Sequence, residues 1–122
     1  MRCLVLIAHG SRREASNNEV RRLAQQLHDR ADGAFEQVTA AFLELAGPTI
    51  PEGIENCIRA GAEEVVVVPY FLAAGRHMRE DIPALIDTVQ RAHPEVEIRV
   101  TPYLGAAGGV VDLLLDLARA TD

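Results

Sequence analysis

The stretch Val65–Pro83, VVVVPYFLAAGRHMREDIP, decides the fold. Four consecutive valines bounded by Pro69 fit a strand covered on both faces, the type found in parallel sheets flanked by helices. Directly after it come Gly75, Arg76, His77, Arg79, Glu80 and Asp81, a polar loop running into a helix start. In an open α/β sheet that position, beyond the carboxyl end of a strand, is where ligands bind.

Working outward from the valines, the same pattern recurs. Cys3–Ala8 is a short apolar run ending at His9-Gly10-Ser11, which predicts a first strand and a tight turn. From about Glu14 to Ala31, Val20, Leu23, Ala24 and Leu27 recur at helical spacing, with Ser11/Glu14 or Ser16/Glu19 as the capping box. Asp32-Gly33 closes that helix, and Phe35–Leu45 reads as a second strand carrying Glu44 near its end. Thr49 with Glu52 caps a helix to about Ala60, closed by Gly61, and the valine strand follows over Glu64–Pro69. A third helix begins at His77 or Asp81 and reaches Arg91, with Pro83 in an early turn. Val96–Val100 makes a fourth, more exposed strand, and Val110–Ala120 a closing helix. The apolar residues of that last helix, Val110, Val111, Leu113, Leu114, Leu115 and Leu117, form more than one stripe, which suits either deep core or a subunit contact.

The order βαβαβαβα with short connections predicts one α/β domain over residues 1–122. Its expected form is a flavodoxin-like four-stranded parallel sheet, strand order 2-1-3-4, with helices on both faces. At 122 residues there is room for one core and not two. Five aromatics, no basic stripe and a formal charge of −6 argue against nucleic-acid binding. No apolar run approaches the roughly 20 residues of a membrane span, and the N-terminal run leads straight into charge without a cleavage site, so it reads as a strand and not as a leader. Cys3 and Cys57 lack any CxxC spacing, which points to two buried, reduced thiols in a cytoplasmic protein.

With the order 2-1-3-4, His9, Glu44 and His77 fall at or just beyond the carboxyl ends of three neighbouring strands. Two imidazoles and a carboxylate suit a divalent transition metal such as Co²⁺, Fe²⁺, Ni²⁺ or Zn²⁺, and the same groups accept protons near neutral pH. Each histidine alone is equally readable as a turn residue, and Glu44 as a solvated carboxylate; their coincidence on one rim favours function. His28 and His93 read as surface residues. The adjoining loops, HGSRR and GRHMR, add Ser11, Arg12, Arg13, Arg76 and Arg79, donors suited to an anionic ligand, against the plainer reading that the arginines pair with Glu14, Glu80 and Asp81. Neither GxGxxG nor a Walker A pattern is present, and HGS is not a GxSxG serine elbow.

Three segments carry a family resemblance: LIAHGSR (Leu6–Arg12), AFLEL (Ala41–Leu45) and VPYFLAAGRHMREDIP (Val68–Pro83). In their order and spacing the chain resembles the small, single-domain sirohydrochlorin chelatases of the CbiX/SirB type, within the class II chelatase superfamily, over nearly its whole length. The resemblance implies a lyase that inserts Co²⁺ or Fe²⁺, with Ni²⁺ as a further option, into sirohydrochlorin during cobalamin or sirohaem biosynthesis. It implies that His9 and His77 handle metal and protons with Glu44 as acidic partner, that no cofactor is permanently bound, and that the small form is a homodimer. The rim arginines would then hold substrate carboxylates. After Pro102-Tyr103-Leu104-Gly105 this chain departs from many relatives, with Ala106-Ala107-Gly108-Gly109 where they carry a histidine-containing segment. A non-catalytic tetrapyrrole or metal carrier is the competing expectation.

Overall fold

A computed structural model of the chain describes residues 1–121, apart from the side chains of His77 and Met78. The described residues form β1 (Arg2–Ala8), α1 (Glu14–Arg30), β2 (Gln37–Phe42), α2 (Ile50–Arg59), β3 (Glu64–Pro69), α3 (Ile82–Ala92), β4 (Glu97–Val100) and α4 (Gly109–Arg119). A π-helical turn, His77–Asp81, leads into α3, and a 3₁₀ turn, Leu104–Ala106, precedes α4. All strands are parallel and lie in the order β2-β1-β3-β4, as the alternation of elements predicts.

That order fixes which helix covers which face. The chain moves one way along the sheet from β1 to β2 and the other way from β2 to β3 to β4, so right-handed crossovers put α1 on one face and α2 and α3 on the other. Side chains alternate accordingly. Cys3, Val5 and Ile7 of β1 join Val65 and Val67 beneath Ile50, Ile54 and Cys57 of α2 and Ile82, Ile86 and Val89 of α3. Leu6 and Ala8 face the other way, against Val20, Leu23, Ala24 and Leu27 of α1, with Phe42 completing that layer. Each fully buried aliphatic or aromatic side chain contributes about 1.5–3 kcal/mol to folding, so the two layers clamp the sheet from both sides. Both cysteines are free and buried, and burial pushes the Cys3 thiol up to about 12.

The capping box Thr49/Glu52 forms: the Glu52 amide donates to Thr49 Oγ1 at 3.3 Å and the Thr49 amide donates to Glu52 Oε1 at 2.8 Å. Four expectations need correction. The Ser11/Glu14 box does not form, nor does Ser16/Glu19, because α1 starts at Glu14 behind an extended Arg13 that makes no side-chain cap. The second strand ends at Phe42 and not at Leu45, since Leu45 takes a left-handed φ of 66° that no strand accommodates. His93 is only partly a surface residue: its side chain is 26% exposed, and its Nε2 lies 2.9 Å from Glu55 Oε2, linking the end of α3 to α2. Finally, the deep-core reading of the last helix fails. No residue of α4 is buried, and its principal contacts run to the 3₁₀ turn before it.

Candidate functional site

β1 and β2 end in register, Ala8 opposite Phe42, and β1 also pairs with β3, Ile7 opposite Pro69, so the three strands finish on one rim. Two further parallel ladder bonds extend the β1–β2 pairing past the strand ends. The Leu43 amide donates to the Ala8 carbonyl at 2.9 Å, and the Glu44 amide donates to the His9 carbonyl at 3.0 Å. The backbone therefore carries His9 and Glu44 side by side into the loops. At that point Gly10 turns away with a φ of 96°, a left-handed conformation that glycine adopts without strain.

The side chains follow. His9 Nε2 lies 3.5 Å from Glu44 Oε1, with both groups about half exposed. His9 Nδ1 lies 3.3 Å from the Gly10 carbonyl oxygen. The tautomer with its hydrogen on Nδ1 donates to that carbonyl and frees the Nε2 lone pair for a metal or proton on the Glu44 side, whereas the other tautomer turns an Nε2–H towards Glu44. Two ligands of one transition metal, each about 2.0–2.2 Å from it, stand about 3.0–3.4 Å apart, so the pair is spaced for a shared metal or a shared proton. Among the described side chains no three His, Cys, Asp or Glu groups converge as a metal site. The third expected member, His77, opens the π-helical turn, and its side chain lies outside the described residues.

Beside Glu44 a cleft of about 440 Å³ opens between the loop after β2 and the first turns of α3, lined by Leu43, Glu44, Asp81, Ala84, Leu85 and Thr88. Asp81, read from sequence as a helix start or an arginine partner and not as a site residue, thus shares this cleft with Glu44. The arginines lie exposed around the rim. Arg76 pairs with Glu80 at 3.2 Å, one turn of helix away, which is the plainer reading for that residue. Arg12, Arg13 and Arg79 are exposed as well.

Ser11 sits in a tight hydrogen-bonded turn. Its Oγ accepts from the Arg13 amide at 3.0 Å, its amide donates to Asn17 Oδ1 at 2.9 Å, and its carbonyl accepts from Asn17 Nδ2 at 2.8 Å. Asn17 is 2% exposed and also donates to Glu14 Oε2 at 3.2 Å. The sequence reading missed it, although a polar residue on the apolar side of an amphipathic helix, close to a functional loop, was the available signal. Arg21 holds Glu14 from the far side, and that hydrogen bond, followed by the one from Asn17, keeps the Glu14 carboxyl below its usual range. The HGSRR loop is therefore anchored at both backbone groups of Ser11.

A family model described as CbiX matches residues 3–121. The chain belongs to the CbiX family. It is 32% identical over 142 aligned positions to the sirohydrochlorin cobaltochelatase of Methanocaldococcus jannaschii, covering 97% of this chain and 98% of that one. It is 31% identical to the sirohydrochlorin ferrochelatase of Priestia megaterium over 122 residues, 100% of this chain but 45% of the relative. The CbiX-family chain thus spans the full length of one relative and about half of another. Among solved structures, a putative cobalamin biosynthesis CbiX protein from Marinobacter aquaeolei superposes with a TM-score of 0.84 at 30% identity, covering 99% and 97% of the two chains.

Proposed function

We propose that this CbiX-family chain is a cytoplasmic chelatase, a lyase that inserts Co²⁺ or Fe²⁺ into sirohydrochlorin, in cobalamin or sirohaem biosynthesis. The observation that carries the reading is the His9–Glu44 pair, 3.5 Å apart on the carboxyl rim, in a chain that matches a sirohydrochlorin cobaltochelatase end to end. Sirohydrochlorin and the metal are both substrates, and the working form is a homodimer.

Insertion needs two events at one place: the metal exchanges its other ligands for four ring nitrogens, and two pyrrole N–H protons leave. An imidazole nitrogen beside a carboxylate offers a borderline divalent metal two ligands and the ring's protons two acceptors, so His9 and Glu44 serve both needs. Their exposure of about half leaves them open to a bound macrocycle. His77 is assigned the same role from the β3 side, and Asp81 lines the neighbouring cleft. Ser11, Arg12, Arg13, Arg76 and Arg79 are assigned to the substrate's peripheral carboxylates, which guanidinium groups bind through paired N–H donors.

Anaerobic incubation of sub-stoichiometric protein with sirohydrochlorin and Co²⁺ or Fe²⁺, followed by absorbance, tests the reading. Many turnovers per chain are expected. Conversion that stops at one equivalent would identify a carrier instead.

A further inference from the structure

Two loops of the rim, residues 9–13 between β1 and α1 and residues 43–49 between β2 and α2, each carry one member of the His9–Glu44 pair. The second loop is closed at its base, where the Phe42 amide donates to the Pro48 carbonyl at 2.9 Å and Phe42 bridges to Thr49. Between those anchors Glu44, Leu45 and Gly47 are exposed. A segment with so little buried apolar surface of its own is held in place by polar ties. One tie is the ladder bond from the Glu44 amide to the His9 carbonyl.

Arg21, half-buried on α1, supplies another. Its Nη2 donates to the Gly47 carbonyl at 3.1 Å, and its Cζ lies 5.1 Å from the centre of the Phe42 ring. Its Nη1 donates to Asn18 Oδ1 at 2.9 Å and to Glu14 Oε1. Glu14 Oε2 in turn accepts from Asn17, which holds the amide and carbonyl of Ser11. An unbroken chain of hydrogen bonds, Ser11 to Asn17 to Glu14 to Arg21 to Gly47, therefore joins the loop of His9 to the loop of Glu44 through side chains of α1. A planar guanidinium, with its donors fixed in a fork, reaches a carboxylate and a backbone carbonyl at once. A surface ion pair with Glu14 is the plainer reading of Arg21, but that pair alone does not require contact with Gly47 and Phe42, neither of which lies on α1.

We propose that Arg21 is a positioning residue for metal insertion: through Gly47 it holds the loop after β2 so that Glu44 stays beside His9. It acts through the loop and not on the metal or the macrocycle. A displacement of about 1 Å at a reacting group can cost about 100-fold in rate. With the Glu44 ladder bond retained, loss of the Arg21 tie should cost about 10-fold. This inference rests on the chelatase reading above and names a residue outside the rim on which that site depends.

Amide hydrogen exchange and steady-state kinetics on the full-length chain test it. In Arg21→Ala the Glu44 and Phe42 amides should exchange at least about 10-fold faster, with the amides of the β1–β3 pairing unchanged. Metal insertion per folded chain should lose about 10-fold in kcat, while KM for sirohydrochlorin stays within about twofold because the Asn17–Ser11 bonds remain. A residue that served stability alone would lower the denaturation midpoint and leave the kcat of the folded chain as it was. Arg21→Lys should resemble Arg21→Ala, since an ammonium keeps the charge beside Glu14 without the fork. Unchanged exchange at Glu44, faster exchange with kcat intact, or recovery of both in Arg21→Lys would each overturn the inference. Absence of turnover by the unsubstituted chain would overturn the chelatase reading and the kinetic part with it, and exchange at Glu44 would still decide whether Arg21 holds the loop.

Discussion

A Cβ placed on Gly10 would lie 1.7 Å from the carbonyl oxygen of Glu44. The two loops of the rim therefore touch through the one residue type that leaves room for both. The same close approach lets the Glu44 amide reach the His9 carbonyl, so the glycine also fixes the spacing of the His9–Glu44 pair. Gly10→Ala combines a left-handed backbone, about 1–3 kcal/mol of strain, with a collision against main chain. Denaturant unfolding should show at least that loss, and metal insertion in the fraction still folded should fall as well, because Glu44 must move to admit the methyl.

Asn17 is the hidden support of the same rim. Replacing it by Ala removes three hydrogen bonds and leaves the amide and carbonyl of Ser11 without this partner in a part-buried turn. The expected cost is about 1–3 kcal/mol, read as a lower denaturation midpoint with an unchanged slope. Asn17→Asp should be no better, since it loses the N–H donor to Ser11 and sets a second carboxylate beside Glu14. Unchanged stability in either variant would remove Asn17 from the account.

Acid should weaken the sheet at one identifiable place. Glu64 at the start of β3 accepts from Arg2 at 3.2 Å and from Arg99 of β4, and these two hydrogen bonds, Arg2 first, hold its carboxyl below the ordinary 4.5. A folded-state value below the unfolded one means that the unfolded chain binds the proton first as pH falls. The stabilisation is present above about pH 4.5 and is lost as pH falls through the depressed folded value. Glu64→Gln should flatten the stability profile in that acid window. A profile of unchanged steepness would contradict the assignment.

Much of this was legible in the sequence, and the exceptions have physical causes. Buried parallel strands write themselves as apolar runs, so the strand at about Glu64–Pro69 was legible, and the alternation of elements indicated a parallel sheet for which the flavodoxin-like order 2-1-3-4 was the expected arrangement. The second strand was read too long because Leu43 and Leu45 continue its apolar pattern, which carries no sign of the positive φ that Leu45 adopts. The start of α1 near Glu14 was read correctly but its cap was not, because the turn ahead of it is held by Asn17, inside the helix, and not by a Ser/Glu box. His93 beside Pro94 read as a surface residue, and only the fold brings Glu55 to it. His9 and Glu44 were legible as a pair because strand order alone places them together. Gly10 was read merely as a turn residue, since the carbonyl it makes room for lies 34 positions further along the chain.

The most direct test of the central claim is the rate of metal insertion by folded His9→Ala and Glu44→Gln chains beside the unsubstituted protein, at equal stability and saturating sirohydrochlorin. Loss of a positioned proton acceptor or metal ligand should slow turnover by at least about 100-fold in each variant, with the circular dichroism spectrum unchanged. If both variants turn over as fast as the unsubstituted chain, the chemistry does not pass through the rim where β1 and β2 end.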